Sequence, residues 1–133
     1  MKNSLDLSLL LLRITFGGLM LVNHGWGKML KLFGDETIQF PDPIGVGEVP
    51  SLALAVFSEV LCAGLIVLGL LTRLATIPLI ITMVIAAFVV HIGDPFPKME
   101  GALTYLIPYI VLLLMGAGRY SLDAQLFNNK KWA

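Results

Sequence analysis

Four long apolar runs alternate with polar segments along the chain, and they predict four membrane-spanning helices. An α-helix of about 20 residues crosses the hydrocarbon core of a bilayer at about 1.5 Å per residue. The runs place the spans at about 5–24, 49–72, 74–91 and 102–117. The chain has 133 residues, of which 57% are hydrophobic and only 14% are charged, and this composition suits lipid as the solvent. The expected fold is all-α, an integral membrane four-helix transmembrane bundle in a single domain over residues 1–133.

The segments between the runs differ in length and therefore predict different connections. Little more than Arg73 separates the second and third runs, so these helices should form a tight antiparallel hairpin. Residues 25–48 are too many for a turn, and their prolines and glycines predict a loop. After the fourth run, Gly116 favours a helix end, and Ser121 is suited to N-cap a short interfacial segment at 122–127.

The distribution of charged residues predicts the orientation in the membrane. One face of the predicted bundle holds Lys2, Arg73, Arg119, Lys130 and Lys131. The other face holds Lys28, Lys31 and Lys98 together with six acidic residues. Lysine and arginine favour the cytoplasmic side, so both termini are predicted to be cytoplasmic in a bacterial inner membrane. No small-residue cleavage site follows the first run, which we interpret as a retained span.

Arg13 and Glu59 are charged residues within otherwise apolar runs. A charge at the bilayer centre costs roughly 2.5–3.5 kcal/mol even on insertion scales, so opposite charges gain by meeting inside the protein. The predicted spans place Arg13 about 12 Å from one end of its helix and Glu59 about 13–14 Å from the opposite end. These depths overlap in a hydrocarbon core about 30 Å thick. The sequence therefore predicts an Arg13–Glu59 pair, serving either as a structural staple or as part of a ligand or proton site.

The first span also carries a predicted polar stripe. At about 100° per residue, Gly17, His24 and Lys28 fall within about 60° of Arg13, which favours a face turned toward the bundle interior. His91 ends the third span on the same side of the membrane, and Glu100 precedes the fourth there. The predicted pocket therefore has the ligand-binding candidates Arg13, His24, Lys28, Glu59, His91 and Glu100.

Several function classes receive no support from the chain. A formal net charge of zero gives no basic surface for nucleic acid. The single cysteine, Cys62, cannot perform dithiol chemistry alone. The spacing of the two histidines matches no metal motif, and no metal is expected. No nucleophile–base constellation or dinucleotide fingerprint is present, so whether the protein is an enzyme stays open.

Several short motifs resemble those of the DoxX-like membrane proteins, in the order in which that family has them. They cover nearly the whole chain: 10–17 around Arg13, His-Gly-Trp-Gly-Lys at 24–28, Phe-Ser-Glu at 57–59, 64–75 around Arg73, His91, and Gly-Ala-Gly-Arg-Tyr-Ser-Leu-Asp at 116–123. The resemblance implies a four-helix integral membrane protein linked to quinone-dependent oxidation of sulfur compounds or to membrane redox and stress complexes. It also implies that the last motif, with Arg73, contributes an inner-face set: Arg73, Arg119, Ser121 and Asp123.

The leading hypothesis is a protein that binds a small lipophilic redox molecule, such as a quinone, or serves as the membrane subunit of a redox or stress-response complex. The chain has no evident intrinsic cofactor, so electrons would come from a membrane or soluble redox partner. Its environment is the lipid bilayer, and a homo-oligomer is one option. The alternatives are a non-enzymatic scaffold subunit and a small oligomeric transporter.

Overall fold

The computed structural model of the chain describes residues 2–127, and every regular element in that range is helical. Four helices have the length and hydropathy of membrane spans: α1 Asn3–Leu32, α2 Glu48–Leu68, α3 Thr72–Val90 and α4 Phe96–Met115. A short helix, α5, follows at Leu122–Leu126. The predicted four-helix membrane fold is confirmed. Lys130 and Lys131, used to predict the orientation, lie outside the described residues.

The first helix is longer than predicted, because α1 continues to Leu32 instead of ending near residue 24. Gly25 and Gly27 suggested a loop, yet both lie inside the helix. The connection to α2 is therefore residues 33–47, which we call the connector. The end of the bundle that carries it is the connector end, and the end that carries the α2–α3 turn and α5 is the turn end.

Three of the four spans include wider π-helical turns. These turns are Arg13–Gly17 and Met20–Gly25 in α1, Phe57–Cys62 in α2, and Ala86–Val90 in α3. A π-turn places an extra residue in the helical turn and shifts the phase of the side chains that follow. Such turns are frequent at functional sites, and here they contain Arg13, His24 and Glu59.

Two glycines allow α1 to pack closely along α2. A β-carbon built on Gly17 would lie 2.9 Å from Val67 Cγ2. One built on Gly25 would collide with the Glu59 carbonyl group and lie 2.9 Å from Val60 Cγ2. Small residues at such points let helix backbones approach, as is common in membranes. Gly25 therefore fixes the level at which α1 meets Glu59.

The other helices complete the bundle through an apolar core and a tight turn. Leu79, Leu112 and Tyr109 are fully buried, and the Tyr109 hydroxyl donates to the Phe16 carbonyl oxygen at 2.9 Å, joining α4 to α1. Residues 69–71 connect α2 to α3, as the hairpin prediction required. In this turn Gly69 has φ +72°, a conformation that suits glycine.

We expect Gly25→Ala to lower the free energy of unfolding by about 1–3 kcal/mol, because α1 must move away from the α2 backbone. Gly27→Ala is the matched control, since a β-carbon at Gly27 meets nothing within 4 Å. Its stability should stay within about 1 kcal/mol of wild type. Cys62 is free and buried, so a fluorogenic thiol dye can report thermal unfolding. Equal losses in the two variants would contradict the close approach.

Candidate functional site

Arg13 does not reach Glu59, so the predicted pair is wrong. The Arg13 guanidinium donates from Nη1 to the carbonyl oxygens of Ile66 (3.5 Å) and Val67 (3.3 Å), and from Nη2 to that of Tyr120. It therefore binds carbonyl oxygens of the last turn of α2, where the Ile66 oxygen also accepts from the Gly69 amide. A cation is also favoured there by the helix dipole.

The length of α1 explains the error. The depth of Arg13 was inferred from a span of about 20 residues, whereas α1 has 30. Gly25 is the residue of α1 that lies against Glu59, and Arg13 is 12 residues earlier, about 18 Å along the helix. The two charges consequently lie at different levels.

The residues of the inner-face set lie together at the turn end. They form hydrogen bonds that involve backbone amide and carbonyl groups there. The buried Asp123 carboxylate accepts from the amides of Leu71 (2.6 Å) and Thr72 (2.9 Å), where α3 begins. Ser121 accepts from the Ala124 amide at 3.2 Å, which confirms the predicted N-cap of α5. Arg73 donates from Nη2 to the Leu114 carbonyl oxygen at 3.5 Å, and the backbone amide of Arg119 donates to Asp6 at 3.1 Å. With Arg13, these residues link all five helices.

Glu59 forms its ion pair with Lys28. Lys28 Nζ lies 2.7 Å from Oε1 and 2.8 Å from Oε2 of the carboxylate. The Glu59 side chain is 1% exposed, whereas that of Lys28 is 32% exposed. A lysine ammonium has three N–H donors, so two bonds to Glu59 leave one for a further acceptor.

This ion pair borders a cavity of about 420 Å³ between α2, α3 and the connector. Most of the wall is apolar and includes Phe40, Ile44, Leu54, Phe57, Ile81 and Val90. The polar groups are few: Lys28, Ser51, Ser58, Glu59, Thr82 and His91. The hydroxyl groups of Ser58 (3.4 Å) and Thr82 (2.7 Å) both donate to the Pro78 carbonyl oxygen. An apolar cavity with a few convergent polar groups is the usual form of a small-molecule site.

The connector covers the cavity at the connector end and is fastened to α2. The Asp42 carboxylate accepts from the Gly47 amide at 2.8 Å, the Val46 amide at 2.9 Å and the Ser51 hydroxyl at 2.8 Å. The Phe40 ring lies 5.9 Å from Lys28 Nζ and 5.8 Å from Lys31 Nζ, within cation–π range. Sequence reasoning missed Phe40, Asp42 and Ser51. The acid between two prolines, shortly before the second run, was the available signal for a turn that starts a helix.

Three of the six predicted ligand-binding residues meet at the cavity: Lys28, Glu59 and His91. His91 Nδ1 also lies 3.1 Å from Asp94 Oδ2. His24 instead lies against Tyr105, with ring centroids 5.2 Å apart, and the exposed Glu100 does not line the cavity. The predicted stripe of α1 therefore holds for Arg13, Gly17 and Lys28, which all contact α2, and fails for His24, because the π-turns shift the helical phase. Within residues 2–127, no group of three His, Cys, Asp or Glu side chains could hold a metal ion.

Four apolar spans with an internal ion pair define a multi-pass membrane protein embedded in a lipid bilayer. The family model described as DoxX matches residues 8–92. The chain belongs to the DoxX family.

Three curated relatives are each 31% identical to the chain. An uncharacterized membrane protein of Mycobacterium tuberculosis is similar over 70% of this chain and 71% of its own length. The Bacillus subtilis protein named "Putative oxidoreductase CatD" is similar over 98% of this chain and 96% of its own. An uncharacterized protein of Haemophilus influenzae is similar over 81% and 83%, respectively. No solved structure matches the chain.

We expect Lys28→Met to lower the free energy of unfolding by about 2–4 kcal/mol, because it leaves the Glu59 carboxylate buried and unpaired. Replacing both partners, by Lys28→Met with Glu59→Leu, should recover most of that loss. Lys31→Met is the matched control, since Lys31 is exposed, donates to the Gln39 carbonyl oxygen, shares the Phe40 contact and forms no ion pair within residues 2–127. Dye labelling of Cys62 during heating measures the stability of all three variants. Similar losses from Lys28→Met and Lys31→Met would refute the role of the ion pair.

The hydrogen bonds to Asp42 predict a pH dependence of the connector. The Ser51 hydroxyl, with smaller contributions from backbone amides, holds the pKa of this carboxyl below its usual range. A lowered pKa in the folded state means that the stabilisation is present above the ordinary aspartate pKa and is lost as pH falls through the lowered one. The amide NMR shifts of Val46 and Gly47 should therefore titrate together at a pH below the ordinary aspartate range. In Asp42→Asn neither amide shift should titrate in that pH range. In the wild type, a midpoint at or above the ordinary aspartate range would contradict the hydrogen bonds to Asp42.

Proposed function

We propose that this DoxX protein binds a small lipophilic molecule with a carbonyl oxygen, such as a quinone, in the cavity beside Lys28 and Glu59. The observation that carries the proposal is the combination of a mostly apolar cavity of about 420 Å³ with one ion pair at its edge. Ligand sites commonly have volumes of about 300–1,000 Å³. A quinone ring needs apolar walls and a hydrogen-bond donor for its carbonyl oxygen, and the cavity supplies both.

Each polar residue has a distinct role in this proposal. Lys28 donates its remaining N–H to the ligand oxygen while its other two hold Glu59. His91, on the opposite helix and partly exposed, exchanges protons with the aqueous phase, and Asp94 orients its ring. Glu59 serves as the nearby carboxyl group that relays to the ligand oxygen the protons that two-electron reduction consumes. The electrons come from a partner redox protein, so the part of this chain is to bind the ligand and supply protons.

One relative supports a redox ligand, and the charge pattern supports the orientation of the protein in the membrane. The Bacillus subtilis relative is named an oxidoreductase, in agreement with a redox ligand. Basic residues at the turn end favour placing that end in the cytoplasm of a bacterial inner membrane. In this orientation the cavity and His91 face the outer side.

Binding of tritium-labelled menadione to the purified protein in nanodiscs tests the proposal. Ala55 lines the cavity, so Ala55→Trp should weaken binding at least about tenfold by filling it. Ala53 lies on the same helix, is exposed and does not line the cavity, so Ala53→Trp is the matched control.

His24→Ala should leave the affinity unchanged, because His24 does not line the cavity. Equal affinity in Ala55→Trp and Ala53→Trp would exclude this cavity as the site. If menadione and longer-tailed quinones all fail to bind while a protein copurifies in stoichiometric amount, the scaffold-subunit alternative replaces the proposal.

A further inference from the structure

Part of the cavity wall is also outer surface of the bundle. Leu54 and Phe57 of α2 are 52% and 45% exposed, and Ile81 of α3 is 54% exposed, yet all three line the cavity. Within residues 2–127, about half of the surface of each of these side chains stays uncovered. The cavity is therefore open between α2 and α3.

The opening lies at the depth of the hydrocarbon core. Leu54 is six residues from the start of α2 at Glu48, about 9 Å along the axis. Phe57 is nine residues from that start, and Ile81 is nine residues from the end of α3 at Val90, about 13 Å in each case. Exposed apolar side chains at this depth face lipid chains rather than water.

The gap arises because α2 and α3 diverge toward the connector end. They are joined by only three residues at the turn end. Farther along, residues 48–56 of α2 pack against the end of α1, whereas residues 86–90 of α3 pack against α4. A wedge remains between the two helices, and the cavity occupies it.

The aqueous side of the wedge is covered. Phe40, Pro41, Pro43 and Ile44 of the connector line the cavity there. Asp42, in the middle of this stretch, accepts hydrogen bonds from the amide of the N-cap residue Gly47 and from the hydroxyl of Ser51 in the first turn of α2. Phe40 lies against the ammonium groups of Lys28 and Lys31. The membrane side is thus open, while the aqueous side is covered by the connector. One hydrogen bond from Ser51 ties the connector to α2, and the Phe40 ring contacts the lysines of α1.

We propose that the ligand enters from the bilayer through the gap between α2 and α3, and that it is an amphiphile with a hydrocarbon tail. Its polar ring lies beside Lys28 and Glu59. Its tail leaves the cavity past Leu54, Phe57 and Ile81 and stays in the lipid. This inference rests on the proposed function, because it specifies the ligand class and the entry route of the same site.

Photo-cross-linking locates the two ends of such a ligand. One decyl-quinone probe carries a diazirine on the ring, and a second carries it at the far end of the tail. After irradiation in nanodiscs, mass spectrometry should find ring adducts on cavity residues such as Ala55 and Ser58. Tail adducts should fall on residues 54, 57 and 81 and on lipid. Tail adducts on connector residues 40–44 would overturn the proposal.

The rate of binding separates the two entry routes. Leu54→Trp narrows the gap and should slow association about tenfold. Leu61→Trp is the control, because Leu61 is equally exposed on α2, at 53%, and does not line the cavity. Asp42→Asn loosens the connector and should leave the association rate unchanged.

Faster association in Asp42→Asn, or an equal rate in Leu54→Trp and Leu61→Trp, would reject lateral entry. If neither probe binds the wild-type protein at all, the proposed function itself fails. The two failures are thus distinguished.

Discussion

The direct contact between Gly25 and the backbone of Glu59 is the interaction on which the rest of this structure depends. It brings α1 against α2 without an intervening side chain. Lys28, three residues later on α1, is then within reach of the Glu59 carboxylate. Because the start of α2 is held to α1 in this way, it does not pack along α3, and the wedge that forms the cavity stays open.

The bundle handles its two internal cations in different ways. Arg13, at the turn end, is surrounded by carbonyl oxygens, and its Nε has no partner within residues 2–127. Its Nη groups donate to backbone carbonyl oxygens and it does not line the cavity, which fits a structural role. Lys28, at the connector end, meets a full opposite charge and borders open space. Of these two cations, Lys28 is the one whose remaining N–H donor borders the cavity, and for this reason we place the candidate site there.

The fold was predictable from the sequence because the lengths of the apolar runs determine where the chain crosses the membrane. Four apolar runs, the hairpin at Arg73 and the cap at Ser121 depend on local pattern, and each is found. The site was only partly predictable. Pairing Arg13 with Glu59 required the true length of α1, which continues beyond the end of the apolar run near residue 24. The helical phase that grouped His24 with Arg13 assumed regular α-geometry, which the π-turns break. Phe40 and Asp42 contribute to the site because the connector folds back over the cavity. No local pattern in the sequence predicts that path.

The fastening of Asp42 has a consequence for how the cover of the cavity can move. Its partners are the amide of Gly47, the N-cap residue of α2, and the hydroxyl of Ser51 in the first turn, so the cover and the helix end form one cooperative unit. Opening it does not require a hinge, because fraying of a single helical turn removes these bonds together. Helix ends fray on submicrosecond timescales and at low free energy. Such fraying is confined to the connector and the first turn of α2, so the rest of the bundle, including the gap between α2 and α3, keeps its arrangement.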